Sequence, residues 1–576
     1  MQIIRNRRIY DVCIIGSGAG GGMAAKVLTE AGADVLMLEA GPMWDPVRDS
    51  KMMAWNYDSP RRGAAIPERH GGEFDAALGG WTIEGEPYTN APGTNFGWFR
   101  SRMLGGRTNH WGRISLRFGP DDFRRKSLDG LGDDWPITYD DIKPFYDEVD
   151  KLVGIFGTNL PKHPNEPDGF FLPPPEPRCY ELLIKKASEK LNIPCVPSRL
   201  SILTKPLNGR MACHYCGQCG RGCMTHSNFS SPSVLIPPAM ATGKLQIIAN
   251  AMAREVTVDA ASGLATGVAY IDKTSLRENH VRARIVVVAA SACESARILL
   301  NSKSSKFPQG LGNSTGNVGK YLTDSTGTGV TGFIPSMMDQ VPHNEDGVGG
   351  AHLYMPWWLD NKKLDFPRGY HIEIGGGKRM PGAGFIGGIH NYTGTDPSGG
   401  GPLSFGGYGE KLKRDYRRLY GATVSFAGRG EMVPNKDTYL ELDPRLVDKY
   451  GIPVLRFHFK WSDYERKQSK HMQETFRAII HEMGGTPMSA MPTEANDYGL
   501  AAGGRIIHEL GVTRMGNDPN TSVLNKNCQA HDAKNVFVAD GGPFASQADK
   551  NCTWTILALS MRTSHFIADE RKKGTI

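Results

Sequence analysis

The pattern of hydrophobic positions is clearest at the start of the chain. Residues 10–15 are almost wholly apolar, which is typical of a strand buried in a parallel sheet. Residues 23–31 favour a helix, and Gly32 follows where a glycine commonly ends one. Residues 34–38 form a second short apolar run. This order predicts a strand, a helix and a second parallel strand.

A glycine-rich turn lies between the first strand and the helix, and Gly16, Gly18 and Gly21 fit the pattern G-x-G-x-x-G. In such a turn the first glycine permits the tight bend, the second lets the backbone approach a pyrophosphate, and the third lets the helix pack closely on the strand. The helix N-terminus then faces the negative phosphate. Glu39 ends the second strand and can accept hydrogen bonds from a ribose diol. The unit predicts a dinucleotide site, and by itself it does not distinguish FAD from NAD.

Three later segments make the prediction more specific. Residues 101–113 contain Gly-Gly-Arg-Thr-Asn-His-Trp, residues 285–302 read as an apolar strand running into a helix, and residues 535–562 contain a strand, Asp-Gly-Gly and a last helix. In this order, and together with the N-terminal unit, they resemble the glucose–methanol–choline (GMC) oxidoreductase family. The resemblance extends over nearly the whole chain and is loose only in residues 330–480.

The resemblance implies an α/β fold, in which a discontinuous Rossmann-like FAD-binding domain holds an inserted α+β substrate-binding domain built on an antiparallel sheet. We expect the three parts of the FAD-binding domain at residues 8–135, 225–325 and 501–576. Substrate-side helices and a cysteine-rich loop are expected at residues 136–224, and the substrate-binding domain at residues 326–500.

The resemblance also implies which residues surround the flavin. Gly105, Gly106 and Asn109 are expected to line it, and Asp540 is expected to reach the cofactor from the end of a strand, where α/β sheets bind ligands. His110 stands in a Gly-Gly-x-x-x-His-Trp run, and in one branch of the family the matching histidine is bonded covalently to the flavin. We expect a histidine packed beside the flavin without a bond, with the covalent link as the alternative.

Oxidation of an alcohol by a flavin needs a base for the hydroxyl proton, and histidine suits this task because its pKa lies near neutrality. A second polar side chain should hold the developing alkoxide. The resemblance points to His508 as the base and to Asn551, just before the last helix, as the residue that orients the oxygen. The family often has proline after this asparagine, and Cys552 stands there instead. The alternative is a buried histidine and an asparagine that caps the last helix.

The chain has ten cysteines, and four of them lie within eleven residues: Cys213, Cys216, Cys219 and Cys223. Their spacing, C-x2-C-x2-C-x3-C, is that of the bacterial ferredoxin run without its final proline. It predicts an iron–sulfur cluster, with a structural zinc site or a loop without metal as the alternatives. A cluster would give reduced flavin a one-electron exit to a partner, which suits a dehydrogenase, whereas an oxidase needs only access for oxygen.

Aromatic and polar residues between the FAD segments are candidates for binding a sugar, because a sugar stacks on aromatic rings and hydrogen-bonds through its hydroxyls. Core packing is the alternative role for them. The candidates are Trp357, Trp358, Tyr370, His371, His390, Asn391 and Tyr392. The glycine-rich stretch 382–409 is expected to form loops over the site.

Composition excludes several other classes of protein. The chain is 39% hydrophobic and 22% charged, which argues against disorder, and a net charge of +7 over 576 residues does not indicate nucleic-acid binding. No apolar window is long enough to span a membrane, and the first residues lack the apolar segment of a secretory signal. We therefore expect a cytoplasmic protein, or one exported to the periplasm with a signal-bearing partner.

Within the family the chain is most similar to the flavin subunits of glucoside 3-dehydrogenases, which oxidise carbon 3 of glucosides to a ketone. The resemblance implies an FAD-dependent dehydrogenase for a secondary alcohol of a sugar or glycoside. Its expected partners are a small signal-bearing subunit and a cytochrome c-type acceptor that receives electrons through the iron–sulfur cluster. The rival functions are an oxidase that makes hydrogen peroxide, an oxidoreductase of sterols or other alcohols, and a flavin-bearing subunit without a substrate of its own.

Overall fold

The structure, a computed structural model, describes residues 4–50, 52, 78–161, 163, 165–341, 347–356, 364–378, 392–395, 402–405 and 409–576. The described strands are β1 (Ile4–Ile15), β2 (Val35–Leu38), β3 (Gly79–Gly80), β4 (Thr89–Asn90), β5 (Arg100–Ser101), β6 (Ile155–Phe156), β7 (Phe171–Leu172), β8 (Val196–Pro197), β9 (Leu245–Ile248), β10 (Ala251–Val258), β11 (Ala265–Asp272), β12 (Arg277–Val288), β13 (Gly329–Phe333), β14 (Leu353–Met355), β15 (Tyr370–Gly376), β16 (Tyr392–Thr395), β17 (Pro402–Phe405), β18 (Thr423–Gly430), β19 (Tyr439–Val447), β20 (Pro453–His458), β21 (Thr486–Pro487) and β22 (Val536–Val538).

The described α-helices range from single turns to a C-terminal helix of 21 residues. They are α1 (Ala19–Glu30), α2 (Arg125–Asp129), α3 (Tyr139–Val153), α4 (Cys179–Lys190), α5 (Ser231–Val234), α6 (Ile236–Ala241), α7 (Ala292–Asn301), α8 (Gly409–Leu419), α9 (Asp463–Glu482) and α10 (Thr553–Lys573). Short 3-10 helices occur at Gly106–Asn109, Pro120–Phe123, Cys219–Arg221, Pro335–Met337 and Glu494–Gly499.

The first sheet joins strands from three distant parts of the chain. Its order is β10-β11-β12-β1-β2-β9, and β22 pairs with the end of β12. β9, β2, β1, the end of β12 and β22 pair in parallel, whereas β10 and β11 form an antiparallel extension. Alternate residues of β1 enter two different cores, with Cys13 and Ile15 on one face and Val12 and Ile14 on the other. Burial on both faces explains why the end of this strand, residues 12–15, is continuously apolar.

The second sheet is antiparallel and has the order β21-β13-β18-β15-β14-β8. Helix α9 covers one face, where Met472 and Phe476 pack with Phe426 of β18 and Ile372 of β15. Because side chains alternate along a strand, the neighbouring residues of β15 and β18 point away from this core. The predicted fold class, a discontinuous Rossmann-like domain with an inserted domain on an antiparallel sheet, is confirmed. The residue limits of the five segments stay a prediction.

Helix lengths and compositions bear on membrane association. Within the described ranges, no helix combines the length and the apolar character that a bilayer crossing needs.

Candidate active site

The parallel strands of the first sheet end at a cavity of about 440 Å³, a size within the range of small-molecule sites, ~300–1,000 Å³. Its walls include Ile15 at the end of β1, Leu38 at the end of β2 and Ala289 after β12. Ligands bind at this edge of α/β sheets because the turns after the strands leave a crevice there. Eight of the eleven predicted FAD-binding and catalytic residues line the cavity, namely Gly16, Gly18, Glu39, Gly106, His110, His508, Asp540 and Asn551.

The three glycines of the first turn differ in their surroundings. Gly16 has φ of +97°, and a Cβ added there would lie 2.4 Å from the carbonyl oxygen of Ala289. A Cβ on Gly21 would lie 2.0 Å from the carbonyl oxygen of Gly16, so the turn and helix are in close contact there. A Cβ on Gly18 would meet no atom within 4 Å, because this residue faces the cavity at the start of α1. The open space before a helix N-terminus fits a pyrophosphate.

Glu39 is buried at the cavity wall, where its Oε1 accepts a hydrogen bond of 2.8 Å from the Gly41 N–H. Its other oxygen accepts the hydroxyl of Ser17, and the oxygen of Ser17 accepts the Gly105 N–H at 2.8 Å. Burial raises the pKa of Glu39, while these hydrogen bonds oppose the rise. The acid is thus held at the end of β2, as the sequence predicts for a ribose-binding residue.

The Gly105–Gly106 turn brings the second FAD segment to the cavity. Gly105 has φ of +86° and Gly106 has φ of +50°. The Asn109 amide donates to the Leu104 and Gly106 carbonyl oxygens at 2.8 and 3.1 Å. Gly105 and Asn109 therefore build and brace the turn, whereas Gly106 and His110 form cavity wall. The expectation that these four residues surround the flavin stays a prediction.

His110 and Asp540 are the titratable members of the predicted flavin shell. The Nε2 atom of His110 lies 3.1 Å from the hydroxyl oxygen of Ser101. Burial and the nearby Arg113 lower the pKa of His110 to about 3, so the imidazole is neutral. Burial raises the pKa of Asp540 to about 6, although hydrogen bonds from Ser295 and the Gly542 N–H stabilise its carboxylate. The residues along the cavity fit the parts of FAD in order. Gly18 leaves room for the pyrophosphate, Glu39 can accept hydrogen bonds from the ribose, and His110 and Asp540 belong to the predicted flavin site.

His508 and Asn551 lie together at the cavity. The Asn551 Nδ2 atom is 3.4 Å from the His508 Nε2 atom. Helix α10 begins at Thr553 with Cys552 at its N-cap and no capping side chain, so Asn551 does not serve as the cap. The structure therefore places the two predicted catalytic residues side by side, and their roles stay a prediction.

A hydrogen-bond network fixes the ring of His508. The Nδ1 atom lies 3.0 Å from the Ser325 hydroxyl oxygen, which also accepts the Gln547 amide N–H at 2.8 Å. The His508 backbone N–H donates to the Asp324 carboxylate at 2.9 Å. Since the Asn551 amide N–H points at Nε2, the network assigns the proton of the neutral ring to Nδ1 and leaves the lone pair on Nε2.

His508 is in the neutral form that a base needs. Burial and the positive charge of Arg429 lower its pKa to about 3, and the Glu373 carboxylate partly opposes this shift. The ring is therefore neutral at physiological pH, with Nε2 ready to accept a proton.

The orientation of the Asn551 amide is set by a carboxylate. Its Nδ2 atom donates to Glu373 Oε1 at 3.3 Å, and its buried Oδ1 atom has no hydrogen-bond partner among the described residues. Glu373 forms an ion pair with Arg429 at 3.0 Å. Burial would raise the pKa of Glu373, but Arg429 and a hydrogen bond from His371 lower it to about 2. A permanently ionised acceptor keeps the NH₂ end of the amide turned toward Glu373.

Four residues of this site were not among the sequence-based candidates: Ser325, Gln547, Glu373 and Arg429. Glu373 could have been found from the sequence, because it lies two positions after the candidate His371 and residues i and i+2 of a strand share one face. His371 is buried, and its Nε2 atom lies 3.5 Å from Glu373 Oε1. Ser325 and Gln547 could not have been found in this way, since serine and glutamine occur in every kind of loop.

The other predicted sugar-binding residues have different outcomes. Tyr370 points into the core of the second sheet, where its hydroxyl contacts His471 Nδ1 at 2.9 Å and Thr475 Oγ1 at 3.1 Å. For Tyr370 the structure supports the packing alternative. Adjacent side chains of β15 point to opposite faces of the sheet, and Tyr370 is on the core face whereas His371 is on the other. Outside the described residues lie Trp357, Trp358, His390, Asn391, the side chain of Tyr392 and most of the stretch 382–409.

Three of the clustered cysteines, Cys213, Cys216 and Cys219, are half-buried, and Cys223 is buried. None of the four lines the cavity. Backbone N–H groups point at two of the sulfurs, from Tyr215 to Cys213 Sγ at 3.4 Å and from Gln218 to Cys216 Sγ at 3.5 Å. Burial raises the pKa of Cys213 to about 12, and the other three thiols are close enough to add to the rise.

The donor set of this loop fits an iron–sulfur cluster in kind, because thiolates with backbone N–H···S contacts are what such clusters use. Across the ranges that the structure describes, however, no three or more His, Cys, Asp or Glu side chains are arranged around one point as ligands of a metal ion. The iron–sulfur prediction is therefore not supported by the side-chain positions.

Comparison with known proteins identifies relatives. Two family models, both described as GMC oxidoreductase, match residues 178–326 and 434–560. The chain is 28% identical to the 2-methyl-1,2-propanediol dehydrogenase of Mycolicibacterium austroafricanum over 97% of this chain and 95% of the relative. It is also 28% identical to the fructose dehydrogenase large subunit of Gluconobacter japonicus over 98% of each chain.

Two further comparisons extend this result. A C-glycoside 3-oxidase from Microbacterium trichothecenolyticum is 26% identical over 54% of this chain and 51% of its own. Among solved structures, pyridoxine 4-oxidase from Mesorbium loti superposes with a TM-score of 0.64 at 16% identity, over 97% of this chain and 99% of that one. At this identity the superposition supports the fold alone.

Proposed function

The chain belongs to the GMC oxidoreductase family and is an FAD-dependent oxidoreductase that acts on CH–OH groups; from this premise we propose that it is a dehydrogenase for a secondary alcohol of a sugar or glycoside. The proposed product is the ketone, with carbon 3 as the reacting carbon. The observation behind the proposal is the 3.4 Å contact of His508 and Asn551 at the edge of the dinucleotide-binding sheet.

The proposed chemistry assigns one task to each residue. Bound FAD supplies the acceptor for the hydride that leaves the alcohol carbon. His508 Nε2 takes the hydroxyl proton, so loss of one proton and one hydride converts the alcohol to the ketone. At 3.4 Å the contact from Asn551 to Nε2 is long for a hydrogen bond, so a substrate hydroxyl can insert there, donating to Nε2 and accepting from the amide. Ser325 then keeps the Nδ1 proton in place.

The relatives support a hydroxyl-rich substrate. Their names include fructose, a C-glycoside and a diol, and the glycoside name refers to position 3. The charged pair Glu373–Arg429 in the cavity wall also favours a polar substrate over a sterol, because an apolar substrate would displace water from the pair without supplying hydrogen bonds in its place.

We further propose that the loop of Cys213, Cys216, Cys219 and Cys223 holds an iron–sulfur cluster that passes electrons onward. The donor chemistry and the N–H···S contacts support this part of the proposal. The proposed partners are a cytochrome c-type acceptor and a small signal-bearing subunit, with which the protein would reach the periplasm. A cytoplasmic protein is the alternative. The relative named as a large subunit supports a multi-subunit assembly.

An oxidase that makes hydrogen peroxide is the second candidate, because one of the relatives is named as an oxidase. Oxygen consumption separates the two functions. A dehydrogenase with bound substrate transfers electrons rapidly to an artificial acceptor and slowly to oxygen, whereas an oxidase consumes oxygen at its turnover rate.

The test of the main proposal is a spectroscopic titration. Protein prepared with FAD and kept free of oxygen is mixed with methyl glucoside, and the flavin absorption is followed. We expect bleaching, and a 3-keto product in the sugar fraction. A flavin band that dithionite bleaches and glucosides do not would contradict the sugar assignment.

A further inference from the structure

A half-buried ion pair faces the cavity beside the proposed catalytic residues. Glu373 of β15 and Arg429 of β18 lie on neighbouring antiparallel strands, and their side chains meet at 3.0 Å. Both side chains retain 21% exposure, and both line the same cavity as His508 and Asn551. On β15, Ile372 and Ile374 flank Glu373 and enter the core under α9. On β18, a Cβ added to Gly428 would meet Met472 of α9, so the pair belongs to the cavity face of the sheet.

The position of this pair is not explained by the packing of the sheet. A buried ion pair contributes little net stability, because desolvation offsets most of the attraction. Proton transfer to His508 also does not require it. The carboxylate is nevertheless one side chain away from the base: Asn551 Nδ2 lies 3.3 Å from Glu373 Oε1 and 3.4 Å from His508 Nε2.

We propose that Glu373 and Arg429 form a subsite for a second hydroxyl of the substrate, on the carbon next to the one oxidised, and that the enzyme selects vicinal diols. A carboxylate only accepts hydrogen bonds and a guanidinium only donates them, whereas a hydroxyl does both. A hydroxyl between the two can therefore donate to Glu373 and accept from Arg429. Both bonds are charge-assisted, which makes them stronger than bonds between neutral groups.

This inference rests on the proposed function and specifies its substrate class. A site built to hydrogen-bond a hydroxyl rejects an analogue that lacks it, by up to ~10⁴–10⁵ in kcat/KM where the groups are fully buried. Since Glu373 and Arg429 keep partial exposure, we expect a smaller ratio, about 100-fold.

The first experiment uses the wild-type, FAD-loaded protein and needs no variant. Anaerobic flavin reduction is measured with methyl glucoside and with its 2-deoxy, 4-deoxy and 6-deoxy analogues. Carbons 2 and 4 flank the proposed reacting carbon, and carbon 6 does not. We expect kcat/KM to fall about 100-fold for the 2-deoxy or the 4-deoxy analogue and by less than about threefold for the 6-deoxy analogue.

The second experiment assigns the effect to the pair. Glu373→Gln keeps an oxygen for Asn551 and removes the charge, so the penalty for the missing hydroxyl should shrink to less than about tenfold, mainly through KM. Arg429→Lys should shrink it as well, because an ammonium lacks the planar fork of Arg429. The control is Glu441→Gln, which changes a carboxylate on β19 that is 46% exposed and bonded to His458. It should leave the wild-type penalty intact.

The outcomes distinguish failure of the subsite from failure of the proposed function. If methyl glucoside reduces the flavin and all three deoxy analogues do so equally well, the subsite is wrong while the proposed function stands. An equal loss for the 6-deoxy analogue, or an undiminished penalty in folded Glu373→Gln protein, also contradicts the subsite. If no glucoside reduces a flavin that dithionite reduces, the proposed function fails, and the subsite fails with it.

Discussion

The hydroxyl oxygen of Ser325 lies 3.0 Å from the Nδ1 atom of His508. The Gln547 amide donates a hydrogen bond of 2.8 Å to this oxygen and fixes its position. Since the Asn551 amide N–H faces Nε2, the Nδ1 atom carries the ring proton and donates to the Ser325 oxygen. The Gln547 amide is fixed in turn by the Thr323 hydroxyl, which donates to its Oε1 atom at 3.5 Å. The tautomer of His508 therefore depends on a serine that has no contact with the reacting oxygen in the proposed reaction.

Replacing Ser325 by alanine should slow flavin reduction by substrate about fivefold, because one hydrogen bond of ~1 kcal/mol that favours the productive tautomer is lost. KM should change little, since Ser325 positions the base and does not bind the sugar. Stopped-flow reduction without oxygen measures the rate. The exposed Ser489 offers a control through Ser489→Ala. An unchanged rate in Ser325→Ala would show that the serine has no positioning role.

Replacing His508 by alanine should reduce the rate of flavin reduction by about 10²–10⁴, the usual contribution of a general base. FAD content and reduction by dithionite should stay at the wild-type level, because His508 is held by Ser325 and Asp324 and not by the glycine-rich turn. The exposed His481 serves as the control through His481→Ala. Equal rates of flavin reduction by substrate in the two variants would overturn the assignment of His508 as the base.

The pH dependence of flavin reduction should lack a step near the ordinary pKa of histidine. Burial and Arg429 lower the pKa of His508 to about 3, so its base form is already complete at pH 5. The rate at saturating substrate should therefore change by less than about threefold between pH 5 and pH 8. A sigmoidal fall below pH 7 would mean that substrate or FAD raises the pKa of His508 in the complex.

Features formed by residues close together in the sequence could be predicted from it, whereas features formed by distant residues could not. The turn at Gly16, Gly18 and Gly21 was predictable because its glycines adjoin the strand and helix that they connect. The pairing of Glu373 with Arg429 was not, because it depends on β15 and β18 lying side by side in a register that strand propensities do not encode.

The same limit applied to the proposed catalytic histidine. Family resemblance identified His508 and Asn551, yet it could not identify Ser325, which reaches His508 from 183 residues away in the chain. The alternative role of Asn551 as a helix cap was excluded only by the observed start of α10 at Thr553.

The stability of the folded protein should decrease as the pH is lowered, because the buried His110 is neutral in the folded state. Burial and Arg113 lower the pKa of His110 to about 3, below the value of about 6.5 in the unfolded chain. The unfolded state therefore binds more protons between these values, and the stabilising contribution of His110, present above pH 6.5, is lost as the pH falls toward 3.

His110→Gln tests this contribution. The wild type should be more stable than the variant at pH 7.5, and the gap in thermal unfolding temperature should narrow at pH 5, because glutamine does not titrate. Both proteins are compared with FAD bound. His481→Gln, at an exposed site, should follow the wild-type curve. A gap that stays constant from pH 7.5 to pH 5 would contradict a buried neutral His110.

The cysteine loop leads to the last prediction, in which iron content and electron transfer are measured separately. Wild-type protein purified without oxygen should contain iron, and methyl glucoside should bleach a broad absorption in addition to the flavin band. Cys216→Ser together with Cys219→Ser should remove the iron and its paramagnetic signal, because the loop would lose two of its four thiolates. Flavin reduction should persist, since these cysteines do not line the cavity, while electron delivery to a cytochrome should stop.

The exposed Cys179 gives the control Cys179→Ser, which should keep the iron. Stoichiometric zinc in place of iron would favour the structural zinc site, and protein without either metal would favour a cysteine-rich loop that binds none.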